Sequence, residues 1–162
     1  MLSYVYFGTN DLEQAIAFYG AILKPLGMDR CITGDPEWDR VAAGWGIYED
    51  GGARELAFWI GRPFDQKPAS VGNGSMVAFS ARSRKAVDEF HRAALAHGGT
   101  CDGPPGLRLH YAPDFYAAYV RDLEGNKVAA VCRADCTRAS HAARFPPRAT
   151  AIRRSRNRFP HT

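Results

Sequence analysis

The second half of this chain can be laid over the first with an offset of 72 residues and no gap, and this limits the available folds more than any other feature. Val5/Val77, Phe7/Phe79, Phe18/Phe90, Ala21/Ala93, Leu23/Leu95, Gly27/Gly99, Asp50/Asp122 and Ala57/Ala129 are then identical. Chance would give about four such matches over roughly 60 positions, so the count alone decides little. Their placement decides more, because they fall at strand centres, in helix cores, at helix stops and in a turn. The plainer alternative is a single α+β domain whose halves agree because strands and caps draw on few residue types.

Each copy reads as β-α-β-β-β. Residues 1–9 alternate as a strand, with Tyr4, Tyr6 and Gly8 on one face and Val5 and Phe7 on the other. Asn10 and Asp11 supply N-cap oxygens, Gln14 completes a capping box, and Leu12, Ala15, Ile16, Tyr19, Ile22, Leu23 and Leu26 recur at helical spacing up to Gly27. Three short strands follow over 28–33, 40–48 and 55–60, separated by the turn-forming segments 34–36 and 49–52. Residues 61–74 have no periodicity and read as a linker. The order then restarts with a strand over 75–81 and a helix capped by Ser83, with Val87, Phe90, Ala94 and Leu95 inward and Gly98-Gly99 at its end. A Gly/Pro loop over 103–106 leads to strands over 107–111, 115–121 and 127–132, the last two joined by the turn 122–126.

A chain of 162 residues with 46% hydrophobic and 23% charged side chains suits one soluble globular domain. The net charge of +4 hides a split: from Arg133 onward there are eight arginines and one acid, so the body over 1–132 is mildly acidic. The basic pI therefore belongs to the tail and says nothing for nucleic-acid binding by the folded part. That tail, residues 133–162, is expected to be disordered, since Pro146-Pro147 breaks any helix and its apolar residues have no period. No apolar run nears the roughly 18 residues that span a bilayer, and the N-terminus carries acids where a signal peptide would be basic and apolar. A cytoplasmic protein without membrane contact is expected. Cys31, Cys101, Cys132 and Cys136 match no zinc or redox spacing and read as reduced thiols.

The opening YVYFGTNDLE from Tyr4 leading into Ala17-Phe18-Tyr19, and the closing YVRDLEGNKV from Tyr119, resemble the vicinal oxygen chelate superfamily, which includes glyoxalase I, bleomycin-resistance proteins and extradiol dioxygenases. The segments from Phe58, Gly72, Phe90, His110 and Phe115 are similar to its glyoxalase/bleomycin-resistance branch. The resemblance covers residues 1–132. It implies one domain built of two tandem βαβββ modules, 1–60 and 75–132, whose curved mixed sheets form a cup for a ligand. In the enzymes of the superfamily it also implies a divalent metal at the cup floor, held by His, Glu or Gln.

Those metal positions fall at Tyr4, Ala57, Met76 and Ala129, none of which is a usual ligand for a hard or borderline ion. Glu55 shares a face with Ala57 and could replace one ligand, not four. No metal and no other cofactor is therefore expected. His110, beside a Gly/Pro loop and a tyrosine-rich strand, could hydrogen-bond a ligand together with Tyr116; the plainer reading is a loop histidine packed on tyrosines. His91 and His97 read as helix-surface residues, and Trp38, Trp45 and Trp59 as core or cup wall. Arg108 and Arg121 could pair an anionic ligand, with solvation the plainer reading. Neither G-x-G-x-x-G nor G-x-S-x-G occurs.

Tyr4, Ala57, Met76, His110, Tyr116 and Ala129 are thus the candidate ligand-binding residues of a metal-free small-molecule binder, and a homodimer is expected. The alternative is a metal-dependent lactoylglutathione lyase-like or dioxygenase-like enzyme with displaced ligands. A nucleic-acid module working through the arginine tail is disfavoured, because isolated arginines give only sequence-independent attraction.

Overall fold

The computed structural model describes residues 3–31, 34–48 and 54–133, and of residues 48 and 54–57 the backbone alone. In chain order the elements are β1 (Val5–Gly8), α1 (Leu12–Leu23), a 3-10 turn (Lys24–Leu26), β2 (Asp29–Cys31), α2 (Pro36–Asp39), β3 (Ala42–Tyr48) and β4 (Arg54–Gly61). After a linker come β5 (Met76–Ser80), α3 (Arg84–Ala96), β6 (Thr100–Leu107), β7 (Phe115–Arg121) and β8 (Lys127–Arg133). The strands form two four-stranded mixed sheets, ordered β1-β4-β3-β2 and β5-β8-β7-β6, so the two halves share one topology. The first strand of each pairs parallel with the fourth, and the other pairings are antiparallel. The expected α+β arrangement is the one observed.

Local chemistry explains the helix ends. Asp11 accepts the Gln14 amide proton at 3.0 Å, and the Gln14 side chain donates back to the Asp11 carboxylate at 2.8 Å. Ser83 accepts from the Ala86 amide at 3.1 Å at the start of α3. Pro25 lacks the amide proton that another α-helical turn would need, so α1 tightens into the 3-10 turn and stops at Gly27, φ +78°. The segment 34–36, expected as a turn, opens the short α2, because Asp35 caps the amides of Glu37 and Trp38.

Helices α1 and α3 pack against each other and each against its own sheet. One hydrophobic cluster includes both halves, with Phe18, Ile22, Trp45, Phe58 and Ile60 from the first and Val87, Phe90, Val120, Val128 and Ala130 from the second. Phe58 bridges them, its ring 4.7 Å from Tyr19 and 5.3 Å from Phe79 of the other sheet. Strand alternation then fixes the opposite, outward face. Tyr6 and Trp59 point there from the first sheet, and Met76, Ala129, Tyr119 and Lys127 from the second.

The turn after β7 joins the halves. Asp122, buried, accepts the amide protons of Glu124 and Asn126 at its Oδ1, and at Oδ2 the Tyr19 hydroxyl at 2.6 Å and the Asn126 side-chain amide at 3.1 Å. Burial, and then the charge and hydrogen bond of Asp122, push the Tyr19 hydroxyl well above its ordinary pKa. Glu124 reaches the first half, accepting from Thr9 Oγ1, the Asn10 amide and Asn10 Nδ2 at 3.1, 2.6 and 2.6 Å. Asn126 accepts from the linker amide of Gly72 at 3.0 Å.

Three sequence expectations are corrected. The 103–106 segment is no loop: β6 runs through both prolines as an edge strand, with register shifts between Cys101 and Gly103 and between Gly103 and Gly106 absorbing the missing donors. The strand expected at 107–111 is a turn from residue 109. Leu95, expected inward, is exposed, because the α3 face that meets the core is narrow and led by Val87, Phe90 and Ala94. The turn 49–52, the tail beyond Arg133 and Cys136 lie outside the described residues. Cys31, Cys101 and Cys132 are in no disulfide, and Cys101 Sγ lies 3.2 Å from His91 Nε2. Among the described residues no helix is long and apolar enough to cross a membrane.

Candidate functional site

The outward face of the second sheet carries a depression of about 550 Å3. Its floor and walls come from regular elements: Met76 begins β5, Tyr119 and Arg121 alternate along β7, Lys127 begins β8 and Asp102 projects from β6. Arg108 and His110 close one side from the turn after β6. Two-residue spacing on β7 and antiparallel pairing of Arg121 with Lys127 bring the cations together.

Asp102 organises them. Its Oδ2 lies 3.0 Å from Arg121 Nε and 3.0 Å from Lys127 Nζ. The hydrogen bond from Lys127 foremost, with the charges of Lys127 and Arg121, holds the Asp102 carboxyl below its ordinary pKa in spite of partial desolvation. Two cations lie near the Tyr119 ring, whose centre is 5.4 Å from the Arg108 guanidinium carbon and 5.0 Å from Lys127 Nζ. Arg108 is tied by its Nη2 donating to the Pro104 carbonyl at 2.6 Å. The His110 ring packs against Tyr111, tilted by 48° with ring centres 4.1 Å apart, and Tyr111 meets Phe115 at 5.1 Å.

A second depression of about 500 Å3 lies against the first half, lined among others by Tyr6, Trp38, Arg40, Val41, Arg62 and Phe64. Tyr6 packs on Phe64 at 5.2 Å and Trp38 on Trp59 at 6.2 Å.

The residues proposed from sequence are distributed unevenly. Met76 and His110 line the second-sheet depression. Ala129 shares the outward face but is completely buried. Tyr4 is exposed and lines neither depression. Ala57 stands at a bulge of β4, between the pairs Trp45–Phe58 and Gly46–Leu56, where the backbone alone is described. Tyr116 is on the helix side: its hydroxyl donates to Asp88 of α3 at 2.8 Å, a bond that, with burial, raises its pKa. The alternation that sends Ala118 and Val120 inward sends Tyr116 with them and leaves Tyr119 outside. The 72-residue offset also slips in the sheet register. Val5 pairs with Phe58, yet Val77 pairs with Val128, so Met76 has Lys127 beside it and Ala129 lies beside Ala78.

These positions do not fit a divalent metal. A phenol, a thioether and two methyl groups offer no ligand set for a hard or borderline ion, and the ammonium beside Met76 opposes a cation. Among the described residues no group of three or more His, Cys, Asp or Glu comes together. Asp102, Tyr119 and Lys127 were not singled out from sequence, although the alternation of Tyr119 with Arg121 on a strand already put them on one face.

No family model matches the chain, and no curated protein sequence matches it. Solved structures do. A glyoxalase/bleomycin resistance protein from Albidiferax ferrireducens T118 superposes with a TM-score of 0.65 at 37% identity, covering 82% of this chain and 98% of that one. A glyoxalase/bleomycin resistance protein/dioxygenase family enzyme from Burkholderia phytofirmans PsJN shares the fold at 18% identity, with a TM-score of 0.55 and coverage of 81% and 97%. Lactoylglutathione lyase from Agrobacterium tumefaciens does so at 18% identity, with a TM-score of 0.51 and coverage of 82% and 92%.

Proposed function

Because the chain belongs to the glyoxalase/bleomycin resistance protein family, we propose that it keeps the family's fold as a cup for a small organic molecule and works without a divalent metal. The observation that carries this reading is the set of residues at the metal positions: Tyr4, Ala57, Met76 and Ala129 supply no set of donors, and Lys127 stands beside Met76. A Lewis acid that polarises a substrate oxygen has nothing to hold it there. The second-sheet depression supplies instead a largely polar and charged lining, with an aromatic ring and a thioether among its fixed charges, groups that can hold an apolar body and a charged end together.

Thermal melts of the purified protein with Fe2+, Ni2+, Zn2+ or Mn2+, each with and without chelator, test the reading. The expected result is an unchanged Tm, since an ion that bound only the native state would raise it. Turnover of the hemithioacetal of methylglyoxal and glutathione is expected to be absent. Stoichiometric metal with chelator-sensitive turnover overturns the proposal in favour of a metal-dependent lyase. The reading also includes self-association as a dimer inside the cytoplasm, and a monomeric mass by sedimentation at high micromolar concentration counts against the dimer.

A further inference from the structure

The body of this protein is acidic, yet the depression proposed here as its ligand site is basic. Over residues 1–132 sixteen acids face thirteen bases. The second-sheet depression nevertheless gathers Arg108, Arg121 and Lys127 around Asp102, the one carboxylate among its described lining residues. A separate depression against the first half carries Arg40 and Arg62, with no acid among its described lining residues. Charge of one sign collected in a concavity, against the sign of the surrounding body, concentrates ligands of the opposite sign there.

The local bonds hold these cations in place without neutralising them. A single oxygen of Asp102 takes both Arg121 and Lys127 at 3.0 Å, so one negative charge serves two positive ones. Arg108 is oriented by a neutral carbonyl, that of Pro104, at 2.6 Å. Tyr119 contributes a ring face within about 5 Å of two of the cations, and Met76 a polarisable thioether beside Lys127. Hydrogen bonds between such cations and an oxyanion are stronger than neutral ones, and a planar body can stack on Tyr119 while its acid meets Arg108 or Lys127.

We propose that the second-sheet depression is a site for an aromatic carboxylate, its acid group held by Arg108, Arg121 and Lys127 and its ring by Tyr119 and Met76. The proposal rests on the reading that this protein binds a small molecule in the cup, and it assigns the chemical class of that molecule.

The test titrates 2-naphthoate and its neutral isostere 2-naphthamide into the full-length protein by calorimetry, at low and at high salt. The expected result is 2-naphthoate binding at least about tenfold more tightly than 2-naphthamide, a preference that shrinks with salt as the charges are screened. Lys127→Gln and Arg108→Gln are each expected to weaken 2-naphthoate by about tenfold and to leave 2-naphthamide unchanged, with circular dichroism confirming the fold. Arg40→Gln, on the other depression, is expected to change neither. Equal affinity for the two probes overturns the anion assignment and leaves the small-molecule reading standing. Loss of 2-naphthoate binding in Arg40→Gln, or its persistence in both Lys127→Gln and Arg108→Gln, overturns the location. Binding of neither probe overturns the aromatic-carboxylate assignment and leaves the small-molecule reading to ligands of another class.

Discussion

On the outward side of the first sheet, Gly44 stands across from Trp59, and a methyl group on it would lie 2.8 Å from that ring. The outward side of the second sheet carries Tyr119, Arg121 and Lys127 in the same topological setting. One face is built to lay a large ring flat, the other to arrange charge over a ring. The inward faces differ far less: both are apolar, because both must cover a helix. The two halves therefore agree where packing leaves little choice and differ where the chain meets solvent or ligand. A repeat detected from identities reports mostly on the first class of position.

The join between the halves is itself one-sided, and the largest expected effect follows from that. The turn Asp122–Asn126 is tied to Tyr19, Thr9 and Asn10 of the first half. Asp122→Ala deletes an acceptor of four hydrogen bonds at a buried site and is expected to cost about 3 to 4 kcal/mol in chemical denaturation. Tyr19→Phe removes one of the four, a bond to a charged acceptor, and is expected to cost about 1.5 to 3 kcal/mol. A loss below about 1 kcal/mol in Asp122→Ala would show that this turn does not hold the halves together.

The aligned glycines Gly27 and Gly99 sharpen the comparison at a smaller scale. Gly27 ends the first helix with φ +78°, whereas in the second copy it is Gly98, with φ +92°, that takes this role. Gly99 serves close approach: a methyl group there would sit 2.8 Å from the Arg121 carbonyl oxygen and 2.8 Å from the Phe18 ring. Gly99→Ala must move backbone and is expected to cost about 2 to 3 kcal/mol, as overpacking does. Gly27→Ala incurs left-handed strain in open surroundings and is expected to cost about 1 kcal/mol. Equal losses in melting curves would mean that the two positions are equivalent after all, and the reverse order would contradict the close approach at Gly99.

Much of the fold was legible because it follows from short-range chemistry. The caps at Asp11 and Ser83, the stop near Gly27 and the strand Phe115–Arg121 each rest on a few neighbouring residues. The strand through 100–107 was not, because Gly103, Pro104, Pro105 and Gly106 are tolerated only on an edge with a shifted register, and edge position is a tertiary property. The site was half legible for the same reason. Met76 follows from Tyr4 by the 72-residue offset and His110 from its place beside a tyrosine-rich strand, but the offset that carries Ala57 to Ala129 ignores a slip of two residues in the β5–β8 register. Tyr116 was grouped with nearby aromatics, although the small apolar Ala118 and Val120 on its own face already marked the helix side. Asp102 carries no signal at all until β6 is laid beside β7.

The smallest expected effect concerns Asp102, where stability and ligand binding should move in opposite directions. Its carboxyl lies below its ordinary pKa when folded, so the pairing with Lys127 and Arg121 contributes in full above the unfolded value of 3.8 and is lost as pH falls through the lowered folded value. With side chains about one third exposed, that contribution stays below about 1 kcal/mol and weakens in salt. Asp102→Asn mimics the protonated acid, so wild type and variant are expected to differ slightly at neutral pH and to converge in acid. A gap that widens in acid would contradict the pairing. The second half of the comparison is affinity. Asp102 competes with any bound anion for the same two cations, so Asp102→Asn is expected to bind 2-naphthoate more tightly than the wild type by a few fold, while 2-naphthamide binds both alike. A residue that served only to hold Lys127 and Arg121 in position would give the opposite result, weaker binding of the carboxylate, and the cationic face would then be structural.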